Sequence, residues 1–206
     1  LAWWANQFGA RDDLADTLFT THTVTLTTDS GTYRVPGLGM NIVRYNIGGS
    51  GREPASGRKA VMPPTVPPFR QIEGFWRDGA SDDPSSTSFD WSVDANQRAM
   101  LLKAKARGAD VFEAFSNAPM WWMCRNDSPA GSEDGGDNLR ASHVEAFARY
   151  LAIVVLRARE EWGIDFDAVE PFNEPSVWWW KFPCTQEGCH FDLATQGKVI
   201  ESLRRE

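Results

Sequence analysis

Two hydrophobic periodicities, one typical of strands and one typical of helices, alternate along this chain and limit the folds that it can adopt. Runs of β-branched and aromatic residues bounded by turn residues predict strands at positions 40–47, 109–116 and 166–172. Apolar residues spaced three or four positions apart predict helices at 93–107 and 139–162. Strands that alternate with helices of this length form βα units, whose strands lie parallel in one sheet. The sequence therefore predicts an α/β fold.

The remaining segments extend this pattern to four βα units. Residues 1–5 and 12–19 fit an earlier strand and its helix, and residues 24–27 fit a small extra strand. Asp192 is placed to cap a last helix with Leu193, Val199, Ile200 and Leu203 on its apolar side. The helix at 93–107 has three expected features: Ser92 or Asp90 as its cap, Gly108 as its stop, and a stripe of Ala99, Leu102 and Ala106.

Composition excludes several classes of protein and partner. Acidic residues outnumber basic ones by 28 to 21, and no cluster of Lys or Arg provides the positive surface that nucleic acids or anionic membranes bind. The apolar runs are too short to span a membrane, and the first residues lack the pattern of a signal peptide. Ten Trp and twelve Phe residues exclude a disordered or collagen-like chain. We therefore expect a globular protein without a nucleic-acid or membrane partner.

An Asn-Glu-Pro motif at 173–175 follows the third predicted strand, so Glu174 is expected at the carboxyl edge of the sheet. Parallel α/β folds bind their ligands at this edge. Three tryptophans follow at 178–180. A carboxyl group walled by indole rings is desolvated, and this raises its pKa toward the working pH of a general acid. Taken alone, the motif fits a solvated glutamate beside a turn proline equally well.

Four strand-end motifs carry a resemblance to a known family. They are Asn-Ile-Val-Arg-Tyr-Asn-Ile-Gly-Gly at 41–49, Phe-Ser-Asn-Ala-Pro-Met-Trp-Trp-Met at 115–123, Val-Glu-Pro-Phe at 169–172 and Asn-Glu-Pro at 173–175. In this order and spacing they make the chain resemble glycoside hydrolase family 30 from end to end. The Gln-Glu-Gly-Cys-His-Phe segment at 186–191 and the doubled Trp3 and Trp4 look like its endo-β-1,6-galactanase branch.

The resemblance implies a (β/α)8 TIM barrel with an attached β-sandwich, of which residues 1–206 cover about the first four βα units. The C-terminal half of the barrel and the sandwich are then expected outside this chain. The family cleaves β-glycosidic bonds with retention of configuration, and the resemblance implies no cofactor or metal. By this match Glu174 is the general acid/base and Asn173 bonds the sugar 2-hydroxyl. The nucleophile follows the seventh strand, expected beyond Glu206.

The residues themselves offer no convincing nucleophile. A retaining pair needs carboxyl groups about 5–5.5 Å apart. Glu170 precedes Glu174 on the same strand and lies about 13 Å down the barrel, at roughly 3.3 Å per residue. Glu113 has the same relation to the end of its own strand, and Glu187 belongs to a loop with no strand to hold it.

Alternation along the strands places several polar side chains on the interior face of the barrel. Arg44 and Asn46 share that face of their strand, and the same parity groups Glu113 with Asn117 and Glu170 with Glu174. Arg44 is therefore expected to pair with one of the interior carboxylates near the floor of the site, where Arg44, Asn46 and Asn117 are also expected to bind substrate. A purely structural buried ion pair is the alternative, and both roles are compatible.

The strand-end tryptophans suit a carbohydrate cleft, because an indole ring stacks on the apolar face of a sugar while its N–H bonds a hydroxyl group. The tryptophans expected to bind substrate are Trp3, Trp4, Trp121, Trp122 and Trp179. Packing of loops onto the barrel is the alternative for any one of them. Trp76, Trp91 and Trp162 are expected to be structural.

The cysteine-containing segment near 190 leaves two interpretations open. Cys184 and Cys189 are close enough in sequence for a small disulfide, consistent with a secreted protein. A zinc set of Cys124, Cys184, Cys189 and His190 is the alternative, but it lacks paired Cys-x-x-Cys spacing. His190 is instead expected to line the cleft beside Glu187.

The resemblance implies a secreted, retaining hydrolase that cleaves β-1,6-galactan side chains of the arabinogalactan type. Its partner is a polysaccharide or oligosaccharide substrate, and the isolated chain is expected to be inactive and to self-associate, because four βα units leave strand edges unpaired. Two alternatives stay open. One is another family 30 specificity, such as a β-1,6-glucanase, xylanase or glucosylceramidase, and the other is a non-catalytic carbohydrate-binding fragment.

Overall fold

A computed structural model describes residue 5, residues 7–53 and residues 56–206. Its regular elements are helix α1 (Asp12–Phe19), strands β1 (Thr23–Thr28), β2 (Gly31–Pro36) and β3 (Ile42–Asn46), helix α2 (Ala95–Ala106), strand β4 (Val111–Phe115), helix α3 (Val144–Arg157), strand β5 (Ala168–Glu170) and helix α4 (Leu193–Leu203). A single turn of π-helix, Ala158–Trp162, extends α3.

Strands β3, β4 and β5 form a parallel sheet in that order, which confirms the predicted α/β arrangement. The register places Arg44 opposite Glu113, and Phe115 opposite Glu170. Because the three strands are parallel, the residues that follow each of them meet at one edge. Within the described residues this sheet has three strands and does not close into a barrel.

One face of the sheet is covered by the helices. Val43, Tyr45 and Ile47 on that face of β3 are buried, as the period of two along a strand requires. On α3, Val144, Phe147, Leu151 and Val154 are buried at spacings of three or four, which confirms the predicted helical periodicity, although the α-helix begins at Val144 rather than at residue 139. Gly163 ends the helical segment with a left-handed backbone (φ 64°), the conformation that glycine adopts at little cost.

Helix α2 differs from its predicted form at its start and in its buried stripe. It begins at Ala95 after Asp94, whose side chain makes no capping bond, so the predicted cap at Ser92 or Asp90 is wrong. The buried residues are Gln97, Met100, Leu101 and Ala104 instead of the predicted Ala99, Leu102 and Ala106. Gly108 follows the helix with φ 100°, in agreement with its predicted role as the stop.

The first part of the chain agrees only partly with the prediction. Helix α1 is confirmed, whereas the predicted strand at 1–5 lies outside the described residues except for Ala5, which is helical. The extra strand at 24–27 is confirmed within β1, but its antiparallel partner β2 was not predicted. At the other end, Asp192 caps α4 as predicted and accepts the Thr195 N–H at 2.7 Å, although Leu193 and Ile200 are exposed.

Candidate active site

Polar residues converge where the parallel strands end, and the interior face of the sheet carries the predicted ion pair. Arg44 donates to Glu113 through Nε at 2.6 Å and to Glu170 through Nη2. Its guanidinium carbon also lies 3.7 Å from the centre of the Phe115 ring. The structure thus joins Arg44 to both predicted carboxylates at once, and both are engaged below the carboxyl edge of the sheet.

Glu174 follows β5 and faces an open pocket of about 450 Å³. The pocket is lined by Glu174, Trp179, Trp180, Pro183, Cys184, Thr185 and Gln186. The side chain of Glu174 is exposed, so the predicted enclosure of its carboxyl group by indole rings is wrong. Asn173 beside it is partly buried. We call this cavity the Glu174 pocket.

The backbone at Glu174 is strained. Its φ is 49°, a left-handed conformation that residues other than glycine adopt at a cost in free energy and that clusters at functional sites. Its carbonyl oxygen accepts the indole N–H of Trp180 at 2.9 Å and the backbone N–H of Val177 at 3.3 Å. These bonds fix the peptide group that orients the Glu174 side chain.

Glu187 has a different environment from the one predicted. It is 1 % exposed, so it does not line a cleft, and the expectation that it contacts substrate is wrong for this structure. One carboxyl oxygen accepts the Ser50 hydroxyl at 2.5 Å and the Ile72 N–H at 2.8 Å, and the other accepts the Gly49 N–H at 3.4 Å. Burial raises the pKa of Glu187 to about 7, against the lowering effect of these bonds.

The tryptophans separate into accessible and packed groups. Trp179 is 44 % exposed and lines the Glu174 pocket, so its ring is open to a ligand. Trp121 is 1 % exposed, and Trp122 donates its indole N–H to the Trp76 carbonyl oxygen at 2.8 Å and packs edge-on against the Trp76 ring. Trp121 therefore has no face free for a sugar, contrary to the prediction, whereas Trp122 is partly exposed. Trp3 and Trp4 lie outside the described residues.

The three tryptophans expected to be structural pack against other aromatic rings. Trp76 and Trp91 both stack on Phe89, with ring centres 5.3 and 5.5 Å apart, and Trp162 meets Tyr45 edge-on at 5.8 Å. This confirms their structural assignment. These rings belong to the main hydrophobic core rather than to the carboxyl edge of the sheet.

The two asparagines at the strand ends are buried. Asn46 is 1 % exposed, and both polar atoms of its side chain are buried without a hydrogen-bond partner among the described residues. Asn117 is also buried. Neither amide is accessible to a substrate in this structure, contrary to the prediction.

His190 pairs with Asp137, a residue that the sequence analysis missed. Its Nδ1 lies 3.0 Å from a carboxylate oxygen of Asp137, and the same oxygen accepts the Asp192 N–H at 2.5 Å. His190 is partly buried by this contact. It therefore helps to join the loop before α4 to the segment near Asp137.

A buried polar network beside β3 was also missed. Asp94 accepts the Tyr45 hydroxyl at 2.5 Å and the Gln97 amide at 2.7 Å, and its own N–H donates to Glu73 at 2.9 Å. Burial raises the pKa of Asp94 to about 7. Glu73 and Ser50 also line a second cavity of about 570 Å³. Only the tertiary packing of the long loop brings these residues together, so no spacing in the sequence indicates them.

Neither arrangement considered for the cysteines is present among the described residues. Cys124, Cys184 and Cys189 are all buried free thiols, so the predicted small disulfide is absent. Within residue 5, residues 7–53 and residues 56–206, no three His, Cys, Asp or Glu side chains are grouped to hold a metal ion.

In the same residues, no helix has the length and apolar character needed to cross a membrane.

Three comparisons describe what this chain is similar to. The sequence profile of O-glycosyl hydrolase family 30 matches residues 2–205. An endo-β-1,6-galactanase of Hypocrea rufa is 51 % identical over 206 residues, which are 100 % of this chain and 42 % of that protein. A conserved exported protein from Bacteroides fragilis superposes with a TM-score of 0.75 at 23 % identity, over 99 % of this chain and 39 % of that one. The catalytic domain of a family 30 xylanase from Talaromyces cellulolyticus gives 0.58 at 19 % identity, over 96 % and 40 %.

Proposed function

Because the chain belongs to glycoside hydrolase family 30, we propose that it supplies the general acid/base, Glu174, of a retaining enzyme that cleaves β-1,6-linked galactan. The placement of Glu174 carries this proposal. Its carboxyl group is exposed at an open pocket beyond the carboxyl end of β5, where a parallel sheet presents catalytic groups. The half-exposed ring of Trp179 in the same pocket offers a stacking surface for a sugar.

The reaction needs Glu174 in two protonation states. In the first step the protonated carboxyl group donates to the glycosidic oxygen as its bond to C1 breaks, while a second carboxylate attacks C1. In the second step the Glu174 carboxylate takes a proton from the water that attacks C1. Two inversions at C1 restore the original configuration. Asn173, adjacent in sequence, is assigned the hydrogen bond to the sugar 2-hydroxyl.

The nucleophile is proposed to lie outside this chain. Arg44 holds Glu113 and Glu170, and the buried Glu187 accepts from one hydroxyl and two backbone N–H groups, so these carboxyl groups already have other partners. We propose that residues 1–206 form the first four βα units of a (β/α)8 barrel whose later units carry the nucleophile, with a β-sandwich attached. The chain spans about two fifths of its galactanase relative, which supports this assignment.

The proposed substrate and location are supported by the same relative. The 51 % identity over the whole chain favours β-1,6-galactan over the substrates of glucanases, xylanases or glucosylceramidases of the family. A polysaccharide of this kind is met outside the cell, so the complete protein is proposed to be secreted. Product analysis on β-1,6-galactan, β-1,6-glucan and xylan separates these specificities.

The first prediction tests Glu174 in the protein encoded by the complete reading frame. Glu174→Gln keeps the shape of the side chain but removes its titrating proton, so turnover of unactivated β-1,6-galactan should fall by about 100- to 10,000-fold. Reducing-sugar release gives the rate, and proton NMR of the first-formed anomer reports retention. Glu201→Gln, at an exposed position on α4, serves as the matched control. Near-normal turnover by Glu174→Gln would refute the assignment.

A further inference from the structure

The loop that follows Glu174 is anchored to the rest of the molecule through a buried carboxyl group. The Glu187 side chain receives hydrogen bonds from Gly49 and Ser50, just after β3, and from Ile72 in the long loop. Its own backbone is held as well, because the adjacent Gly188 exchanges bonds with Pro129 at 2.8 Å and Gly131 at 3.0 Å. Residues 187–188 are therefore held both by the hydrogen bonds to the Glu187 side chain and by those to the Gly188 backbone.

Trp180 connects this anchor to Glu174. Gly188 leaves space for the indole ring of Trp180, and a side chain at this glycine would overlap the ring. Trp180 is 2 % exposed and packs in a small core with Val66, Ala130 and Cys184. Its indole N–H then donates to the carbonyl oxygen of Glu174. A continuous series of contacts thus leads from the Glu187 carboxyl group to the strained peptide of Glu174.

A left-handed residue other than glycine persists only where its surroundings hold it, since relaxation would release about 1–3 kcal/mol. For Glu174, the bond from Trp180 is the side-chain contact that holds the backbone carbonyl oxygen. If this peptide rotated, the direction of the carboxyl group would change with it. A displacement of about 1 Å at a catalytic group can reduce the rate roughly a hundredfold.

We propose that Trp180 and Glu187 are positioning residues, which together hold Glu174 in the orientation required for proton transfer. The proposal rests on the proposed role of Glu174 as the general acid/base. Glu187 acts at a distance, because its carboxyl group is buried and bonded to the protein. Trp180 acts through its indole N–H and through the fit of its ring against Gly188.

The test compares two substrates with the complete enzyme. A β-1,6-galacto-oligosaccharide has a poor leaving group and needs the acid, whereas a dinitrophenyl β-1,6-galactobioside has a good leaving group and needs little protonation. Trp180→Phe keeps the packed ring and removes the N–H donor. We expect kcat/KM to fall on the order of tenfold for the oligosaccharide and less than about twofold for the dinitrophenyl substrate.

Glu187 is tested with a pair of variants. Glu187→Ala removes all three acceptor contacts and should produce the same substrate-dependent loss. Glu187→Gln keeps a carbonyl oxygen for Ser50 and Ile72, and should restore kcat/KM for the oligosaccharide to within about threefold of the wild type. Rescue by the conservative change separates a positioning role from a general loss of stability.

Trp91→Phe is the matched control, because it also removes one indole bond to a backbone carbonyl, that of Pro84, within a different aromatic cluster. Its ratio of kcat/KM between the two substrates should equal that of the wild type. Equal losses on both substrates, or unchanged kinetics in Trp180→Phe and Glu187→Ala, would overturn the positioning role. Full activity in Glu174→Gln would instead remove the proposed function, and the positioning role with it.

Discussion

Glu187 is close to Glu174 in the sequence, but the surroundings of its side chain give it a different role from the one that this position suggests. Its loop, close to Glu174, suggests a residue of the cleft, yet the side chain is directed into the protein and accepts three hydrogen bonds. No Lys or Arg among the described residues forms a salt bridge with it. A buried carboxyl group without a cation is stabilised in its neutral form, so its pKa rises.

This pKa makes the stability of the fold depend on pH. The folded-state pKa of Glu187 is about 7, above its ordinary value of 4.5, so the folded chain binds more protons than the unfolded chain between these pH values. The free energy of unfolding should therefore decrease as the pH rises through this window, by about 3 kcal/mol for Glu187 alone. Asp94, whose pKa is also raised to about 7, adds a decrease of the same sign.

Urea unfolding at intervals between about pH 4 and pH 8 measures this dependence. In Glu187→Gln the slope should become shallower, because one of the two contributing groups has been removed. Asp134→Asn is a suitable control, since Asp134 is exposed and hydrogen bonds from Gly136 and Ser132 lower its pKa. A wild-type stability that stays constant or rises over this window would contradict the prediction.

Among the helices, the starts of α2 and α4 show which capping contacts a local sequence pattern can predict. The cap of α4 is a contact within one turn, between Asp192 and Thr195, so the sequence indicates it. At the start of α2, Asp94 instead bonds Tyr45 on the neighbouring strand, and this contact forms only in the folded chain. Strand alternation predicted the pairing of Arg44 correctly. Successive side chains of a strand point to opposite faces of the sheet, so Arg44 and the carboxylates of matching parity share one face.

The exposure of the tryptophan rings could not be predicted from the sequence pattern. Their positions after the strands are visible in the sequence, but whether an indole ring faces solvent depends on how the long loops pack. Trp122 meets Trp76 and His143 edge-on and is partly buried, whereas Trp179 is 44 % exposed although it also meets Trp178 edge-on. The sequence therefore indicated Glu174 and Trp179, which line one open pocket, but not the Ser50 hydroxyl that bonds the buried Glu187, nor the buried Asp94.

The cap of α4 gives a prediction at this scale. Asp192→Ala removes the acceptor for the Thr195 N–H and should lower the free energy of unfolding by about 1 kcal/mol, while Asp192→Asn, which keeps an acceptor, should change it by only a few tenths. Urea denaturation of the two variants measures the difference. Equal stability of Asp192→Ala and the wild type would mean that this cap contributes nothing to the fold.

In the whole molecule, the described residues leave the interior face of the sheet exposed where β3 and β4 begin, whereas Asn46 and Phe115 at the ends of these strands are buried. Ile42 is 65 % exposed there and Val111 is 37 % exposed. Arg44 and the two carboxylates with which it pairs, Glu113 and Glu170, lie on the same face. Within the part of the chain that the structure describes, strands β3 and β5 are also the two edges of the three-stranded sheet. Exposed apolar residues next to unpaired strand edges favour association between chains.

We therefore predict that residues 1–206 by themselves self-associate as their concentration rises, because a second chain would remove this face from water. Ile42→Lys places a charge on the face and should weaken association on the order of tenfold, the equivalent of about 1.4 kcal/mol. Leu102→Lys is the matched control, since Leu102 is exposed on α2 and not on the sheet. Sedimentation velocity over a range of concentrations measures the effect. A monomer at every concentration, or equal weakening by both variants, would show that the uncovered sheet face does not drive association.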